Sequence, residues 1–563
     1  MAHLTKICLA LMGAAALAGC GDEKASETAP TPAYADTVFT GGAIYTGSQG
    51  ATTVEAVAVT NGAVTGLGAD ADIEAAIGPD TEIIDLEGAA MFPGFVDAHA
   101  HLIGIGFREL TLNLEDVASV AELVDVVGAE AAKAAPGGVI DGRGWIETGW
   151  PEDRFPTRDD LDPVTGAIPA ILTRADGHAV LVNSAALNAV GIDDATPDPD
   201  GGRIDRDAAG RATGILIDNA IGLVRPLIAD PSPQRVRQAY VEGGRVYAAY
   251  GWTGLHNMSV DPADRTLMEA LSDEGALGVR VYNALSDIDY DAFAASGPWR
   301  SQNGRVMTRA LKLYVDGALG SHGAKLSAPY SDAPETDGLL LMSQDEARGH
   351  FERAKAAGVQ VATHAIGDRG NMLVLDWYKE ALGADGAPLR WRIEHAQILH
   401  TEDIPRFATQ GVIASMQPSH AIGDLHFAPD RLGDARLDGA YAWRSLIDAG
   451  AVIAAGSDAP VERGDPMIEF YAAVARRDLK GFQGENWRPG EAVTREEALA
   501  MFTRWPAYAA FEEESLGAIE IGKRADFSVF SADIMVIPEE DIPEVRAVMT
   551  VVDGEVIYRA EED

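Results

Sequence analysis

Through the centre of the chain, short apolar runs of buried-strand length alternate with amphipathic stretches of helical period. Eight runs stand out, near 92–99, 251–257, 278–284, 310–316, 360–364, 391–395, 412–417 and 452–458. Strand followed by helix, repeated, predicts parallel βα units, and eight of them predict a closed (β/α)8 barrel of the TIM type. The count closes only if residues at about 105–235 form an insertion after the first barrel strand. That stretch carries apolar runs of its own, GGVIDGRG and IPAILTRA. An open doubly wound sheet is the alternative.

The two ends read differently. AVAVTNGAVTGLG turns at Asn61-Gly62, and AVMTVVDGEVIY turns at Asp553-Gly554. Both dipeptides favour the left-handed backbone that a tight hairpin needs. With RADFSVFSAD they predict β-rich segments at 37–91 and 511–563, flanking an α/β centre at 92–510. The expectation is one small β domain built from both ends of the chain.

At 563 residues the chain is too long for one core. It carries 87 acidic against 44 basic side chains, a net charge of -43. That surface repels nucleic acid and anionic membranes, leaving a small molecule as the expected partner; self-association stays open. The first residues look like a targeting segment: Lys6 precedes ICLALMGAAALAG, an apolar run of about 13 residues, too short to span a bilayer. It closes on Leu17-Ala18-Gly19-Cys20, which resembles a bacterial lipobox. A signal peptide at 1–19, lipidation of Cys20 and a polar tether at 20–36 follow from that resemblance. They imply an exported protein, lipid-anchored to a bacterial membrane and facing the periplasm. An ordinary secretory signal is the alternative. The only other cysteine is Cys8, so processing would leave no thiol for a disulfide, a metal or a nucleophile.

The candidate chemistry sits at the strand exits. In FPGFVDAHAH, His99 and His101 are two apart and share a strand face. His364 ends VQVATHAIGD, His395 ends WRIEHAQ and Asp458 ends AVIAAGSDAP. A lone histidine at a strand end is more often a hydrogen-bonded structural residue. Four with an aspartate, all at barrel exits, point to a divalent metal, because burying that much polar chemistry unpartnered is costly. Lys312 in ALKLYVDG alternates with Leu311 and Leu313 and faces the opposite side. A protonated lysine repels a metal, so as a ligand it must first become a carbamate; pairing with an acidic neighbour is the plainer reading.

These motifs together resemble the amidohydrolase superfamily, and within it the YtcJ-like branch that includes N-substituted formamide deformylases. The matching pieces are PGFVDAHAH, RADGHAVLVNSAAL, LKLYVDGALGSHGAKL, THAIGDRG, RIEHAQ, GSDAP and LGAIEIGKRADFSVF. The resemblance implies a distorted barrel beside a β-sandwich made from both chain ends. It implies one metal on His99, His101 and Asp458, a second on His364 and His395, and carboxylated Lys312 bridging them. The ions would be zinc or another divalent metal. It places His178 against the substrate, and His322 beside a strand exit is a second candidate there. Asp97, Asp368 and Glu394 either orient histidines or cap loops. His256 lies by a strand exit, and His420 and His426, after the seventh strand, read as bystanders.

The chemistry expected is attack by a metal-bound hydroxide on an amide, formamide or cyclic amide, with Asp458 as general base and then general acid. Ester, lactone or phosphoester hydrolysis on the same metals is an alternative, since the hydroxide does not dictate the electrophile. A binding or regulatory protein that kept the fold is another.

Overall fold

Residues 34–561 of the computed structural model are described, apart from 49–51, 116, 136, 148, 153, 176, 178, 200–201, 229 and 384–386. Cys20 and His178 therefore lie outside the described residues. Eight parallel strands follow one another in chain order: β1 (Phe95–Ala100), β2 (Trp252–Val260), β3 (Arg280–Leu285), β4 (Val306–Tyr314), β5 (Gln360–Ala365), β6 (Arg392–His395), β7 (Ile413–Met416) and β8 (Ile453–Ala455). Helices cover the sheet from outside, so its strands are buried on both faces, which is why they read as nearly unbroken apolar runs.

The seam between β8 and β1 is closed beyond the strand ends. The Asp458 N–H donates to the His99 carbonyl at 2.6 Å and the His101 N–H to the Ala459 carbonyl at 2.8 Å. The Asp97 carboxylate adds bonds from the backbone and hydroxyl of Ser457, at 2.9 and 2.6 Å. Gly456 makes this approach possible, since a Cβ there would lie 2.3 Å from the His99 nitrogen. The result is a nearly closed eight-stranded barrel.

Local sequence sets where helices begin and end. Ser232 caps Pro233–Tyr250, proline takes the first turn, and Gly251 at φ +99° stops the helix one residue before β2. Ser343 and Glu346 form a capping box at Gln344–Ala357, which ends on left-handed Gly358 just before β5.

Two further sheets come from the chain ends. One orders Ala63–Gly68, Ala56–Thr60, Thr37–Thr40 and Glu82–Asp85. The other runs Glu555–Arg559, Ala547–Val552, Phe527–Phe530, Ala90–Pro93, Ala43–Tyr45, Thr53–Val54, so it pairs strands from both ends. They share an apolar cluster that includes Phe39, Val57, Met91, Phe527 and Val551. Between β1 and β2 lies a six-stranded sheet spanning Leu112 to Asp218, with apolar clusters of its own. The runs GGVIDGRG and IPAILTRA supply its strands Ile140–Trp145 and Ala170–Arg174.

The first expected strand, 92–99, is two strands broken at Gly94. Ala90–Pro93 pairs with Phe527–Phe530 in the terminal sheet, and β1 starts at Phe95. The last strand is shorter than the expected 452–458, because Gly456 to Asp458 leave the ladder to close the seam.

Candidate active site

Strand register brings the singled-out residues to one level. Tyr314 of β4 lies opposite His364 of β5, His364 opposite Glu394 of β6, and Ala365 opposite His395. His99 ends β1 on the other side of the mouth, and His101 caps the helix Leu102–Leu110 that follows. His99 contacts His395 at a ring separation of 4.8 Å, and His395 contacts His364 at 4.4 Å. Lys312 Nζ is 3.3 Å from His99 Nε2. Asp458 Oδ1 is 3.1 Å from His101 Nε2 and 3.4 Å from His99 Nε2. All lie at the C-terminal mouth of the barrel, where this architecture places chemistry.

Three of the imidazoles are oriented from behind. Glu394 Oε2 stands 2.5 Å from His99 Nδ1, the Met258 carbonyl 3.1 Å from His101 Nδ1, and Gln417 Oε1 2.9 Å from His395 Nδ1. Gln417 is held in that sense, its amide nitrogen donating to the Ser415 carbonyl at 3.3 Å. Oxygen acceptors place the proton on Nδ1 and leave Nε2 as a bare lone pair facing the mouth. Arg392 clamps Glu394 with two bonds and donates a further one to His256 Nδ1 at 2.8 Å.

That arrangement asks for a cation. Asp458 Oδ1 and the Nε2 atoms of His99 and His101 are all lone-pair donors, and both nitrogens lie within 3.4 Å of that oxygen. Asp458 Oδ1 and His364 Nε2 are buried without a hydrogen-bond partner. Buried polar atoms are seldom left so, since each unmade bond costs about 1–3 kcal/mol. Among the described residues two groups have the reach of a metal site, His99 with His101 and Asp458, and His395 with His420 and Asp458. Strain marks the same place. His395 at φ +74° and Asp458 at φ +62° hold left-handed backbone, which costs a non-glycine residue about 1–3 kcal/mol.

Electrostatics agree with neutral imidazoles. Burial, with Lys312 next, pushes His99 down to about 4 and His364 to about 3. Burial also lowers the Lys312 ammonium to about 8 against the pull of Glu394 and Asp458.

Other residues fall elsewhere. His364 Nε2 turns toward the Asp316 carboxylate, 3.6 Å away, so it joins neither metal-sized group as it stands. His322 lies in the loop after β4, bonded to Asp332 at 3.2 Å and packed on Tyr330. Asp97 closes the seam, and Asp368 accepts backbone N–H groups of Ser327 and Arg369, so both cap loops. Glu394 orients a histidine. His426 pairs with Asp478 at the surface. His420 belongs to the site, against the sequence expectation; it lies beyond the end of β7, on the helix Pro418–Asp424, where the strand-exit rule that selects the other histidines does not reach.

An eight-stranded barrel carrying histidines, a lysine and an aspartate at its mouth defines a class of metal-dependent hydrolases. The chain matches the amidohydrolase family model over residues 82–558, and it belongs to that family. It is 33% identical to YtcJ of Bacillus subtilis (strain 168) over 92% of this chain and 99% of that protein. It is 30% identical to the N-substituted formamide deformylase of Arthrobacter pascens over 90% of this chain and 95% of that one. An uncharacterized metal-dependent hydrolase from Pyrococcus furiosus superposes with a TM-score of 0.71 at 29% identity, covering 89% of this chain and 99% of its own. The protein is therefore a metal-dependent hydrolase of the amidohydrolase family.

Proposed function

We propose that the enzyme cleaves a small amide, formamide or cyclic amide at a pair of divalent ions, zinc by preference. His99, His101 and Asp458 hold one ion. His395 and His364 hold the other, His364 by turning its ring from Asp316, and Lys312 bridges them as a carbamate. The observation that carries this is Asp458 Oδ1, buried without a hydrogen-bond partner while Nε2 of His99 and of His101 lie 3.4 and 3.1 Å from it. Lys312 supports a carbamate by position, beside His99 and 5.0 Å from the Tyr314 ring. Its ammonium would first give up one proton to solvent; the freed Nζ lone pair would bond the carbon of carbon dioxide and release a second N–H proton, so that a cation becomes an anion with two protons leaving.

Bound divalent metal supplies Lewis acidity toward a carbonyl and toward water. The chain supplies the rest. Glu394, the Met258 carbonyl and Gln417 fix three imidazoles with their lone pairs inward. Asp458 takes the proton of the attacking water at a carboxylate oxygen and returns it to the leaving nitrogen, so its charge is restored after each turnover. An ester would meet the same groups. The formamide deformylase likeness over nine-tenths of the chain favours nitrogen.

Around this centre we assign the two terminal sheets to one β-sandwich domain, and the sheet between β1 and β2 to an insertion that shapes the substrate pocket together with His178 and His322. We assign the protein to the periplasmic side of a bacterial membrane, anchored through lipid on Cys20; among the described residues no helix is long and apolar enough to cross a membrane. The decisive experiment is elemental analysis of purified protein joined to a hydrolysis screen of formamides, N-acyl amino acids, cyclic imides and aryl esters with zinc-loaded enzyme. One to two equivalents of divalent metal and turnover of a carbon–nitrogen substrate are expected. Full activity in metal-free protein, or hydrolysis of esters alone, sinks the reading.

A further inference from the structure

His420 is carried by the short helix Pro418–Asp424 that follows β7, and that helix is pinned by the Ser419 N–H donating to Glu469 at 3.0 Å. Its ring lies nearly parallel to that of His395, 15° apart in plane and 6.0 Å between centroids. Its Nε2 reaches the same space as the metal-facing atoms, 3.8 Å from Asp458 Oδ2 and 3.7 Å from Glu462 Oε1. Distance alone makes it a third imidazole for the second metal.

The proton on the ring argues otherwise. His99, His101 and His395 each turn Nδ1 to an oxygen, which leaves Nε2 bare. His420 turns Nδ1 to the amide nitrogen of Gln397, at 3.0 Å. A donor there makes Nδ1 the acceptor, so the ring's proton sits on Nε2. The other side of the ring requires the same tautomer. Nε2 faces two carboxylate oxygens, and a lone pair aimed at both would be repelled while an N–H is attracted. A nitrogen that carries a proton has no lone pair for a metal.

We infer that His420 is a catalytic hydrogen-bond donor and not a metal ligand: its Nε2–H binds the substrate oxygen that becomes negative when water adds to the scissile carbonyl. The inference rests on the hydrolytic reading above. No bond to His420 forms or breaks, and its proton stays on Nε2 throughout. Donors held in a buried site toward developing charge contribute most when they need no reorganisation. Here the stack on His395 and the bond to Gln397 hold the ring before substrate arrives.

The test compares zinc-loaded parent, His420→Ala and His420→Gln proteins. Metal content is read by elemental analysis. Affinity for methylphosphonate, a tetrahedral oxyanion, is read by calorimetry, and kcat and KM on the best substrate of the screen. All three should hold equal metal. His420→Ala should bind methylphosphonate about tenfold or more weakly and lose about 10²–10³-fold in kcat. His420→Gln places an amide N–H near the same point without being able to relay a proton, so it should recover about tenfold of both losses. Metal lost from His420→Ala overturns the inference in favour of a ligand. Unchanged methylphosphonate affinity, or none even in the parent, overturns it as well. A glutamine variant as impaired as alanine overturns it in favour of proton transfer. A parent that binds methylphosphonate through His420 yet cleaves no carbon–nitrogen substrate sinks the amide reading alone.

Discussion

At the N-terminal end of the barrel, Arg280 opens β3 and Arg305 precedes β4, and both reach down to the terminal sheet. Arg280 holds Asp526 with two bonds and also meets Asp553, whose other partners are Arg305 and Arg524. Arg305 continues to Glu555 at 2.7 Å. At the C-terminal end, Nε2 of His99 and of His101 face Asp458 Oδ1 at 3.4 and 3.1 Å, and that oxygen is buried without a hydrogen-bond partner. Both ends bury charge. In the lower network donor meets acceptor and the pairing is local, so its charges clamp barrel to sheet. At the upper end acceptors meet acceptors, an arrangement that is stable only when a cation enters. Unpaired polarity, more than polarity itself, separates a reactive site from a structural one.

The largest way to break that contrast is Asp458→Asn. An amide keeps the shape and the seam bond, which runs through the backbone, but cannot take a proton. kcat should fall about 10³–10⁴-fold, with circular dichroism and thermal midpoint near the parent's. A near-parental rate would remove Asp458 as the base.

Next comes Arg280→Met, which strikes the opposite end. Asp526 would keep only the Asp553 N–H, at 2.9 Å, and lose its counter-ion in a buried place. Stripping one partner from a buried pair costs about 3–5 kcal/mol. Urea unfolding should show that loss, while metal content and kcat per folded molecule stay at the parental level. A variant that unfolds normally but loses metal would mean that the two ends are coupled.

Gln417→Leu sharpens the upper half with a smaller effect. It removes the oxygen that fixes His395 Nδ1–H and leaves the ligand nitrogen in place. Loss of such an orienting partner lowers metal affinity about 10–100-fold, readable by equilibrium dialysis. Unchanged affinity would show that packing against His364 and His420 orients the ring unaided.

Much of the upper end was legible in the sequence, because ligand-type residues punctuate apolar runs and strand period puts them at one mouth. His99, His101, His395 and Asp458 meet as their strand positions imply. Three features were hidden. His420 and Gln397 act through a tautomer, which depends on which end of an amide faces a ring and leaves no trace in spacing. Asp97 reads equally as a histidine partner or a loop cap, and nothing in the sequence shows that it closes the seam to Ser457, a contact between residues at opposite ends of the barrel sequence. Gly94 looks like part of one apolar run, although it divides a strand of the terminal sheet from β1. The lower network was equally invisible, since Arg280 and Asp526 are ordinary charged residues until the fold brings the far end of the chain beneath the barrel.

The gentlest test is acid. Arg280, Arg305 and Arg524 hold the Asp553 carboxylate below its ordinary value, although burial alone would raise it. A folded-state pKa below the unfolded one means that the unfolded chain binds the proton more readily. The pairing then contributes its full stability above the unfolded value, and that contribution drains as pH falls toward the folded value. Within this window one such group makes stability fall by about 1.4 kcal/mol per pH unit. Chelated protein should be used, so that metal release at the upper end does not contribute. Urea midpoints measured from neutral pH down through the carboxylate range should decline in the parent. They should decline less steeply in Arg280→Met, where Asp553 retains only Arg305 and Arg524 and its pKa rises toward the unfolded value. Parallel declines in the two proteins would mean that the lower network does not set acid stability, and would move that role to the carboxylates of the upper end.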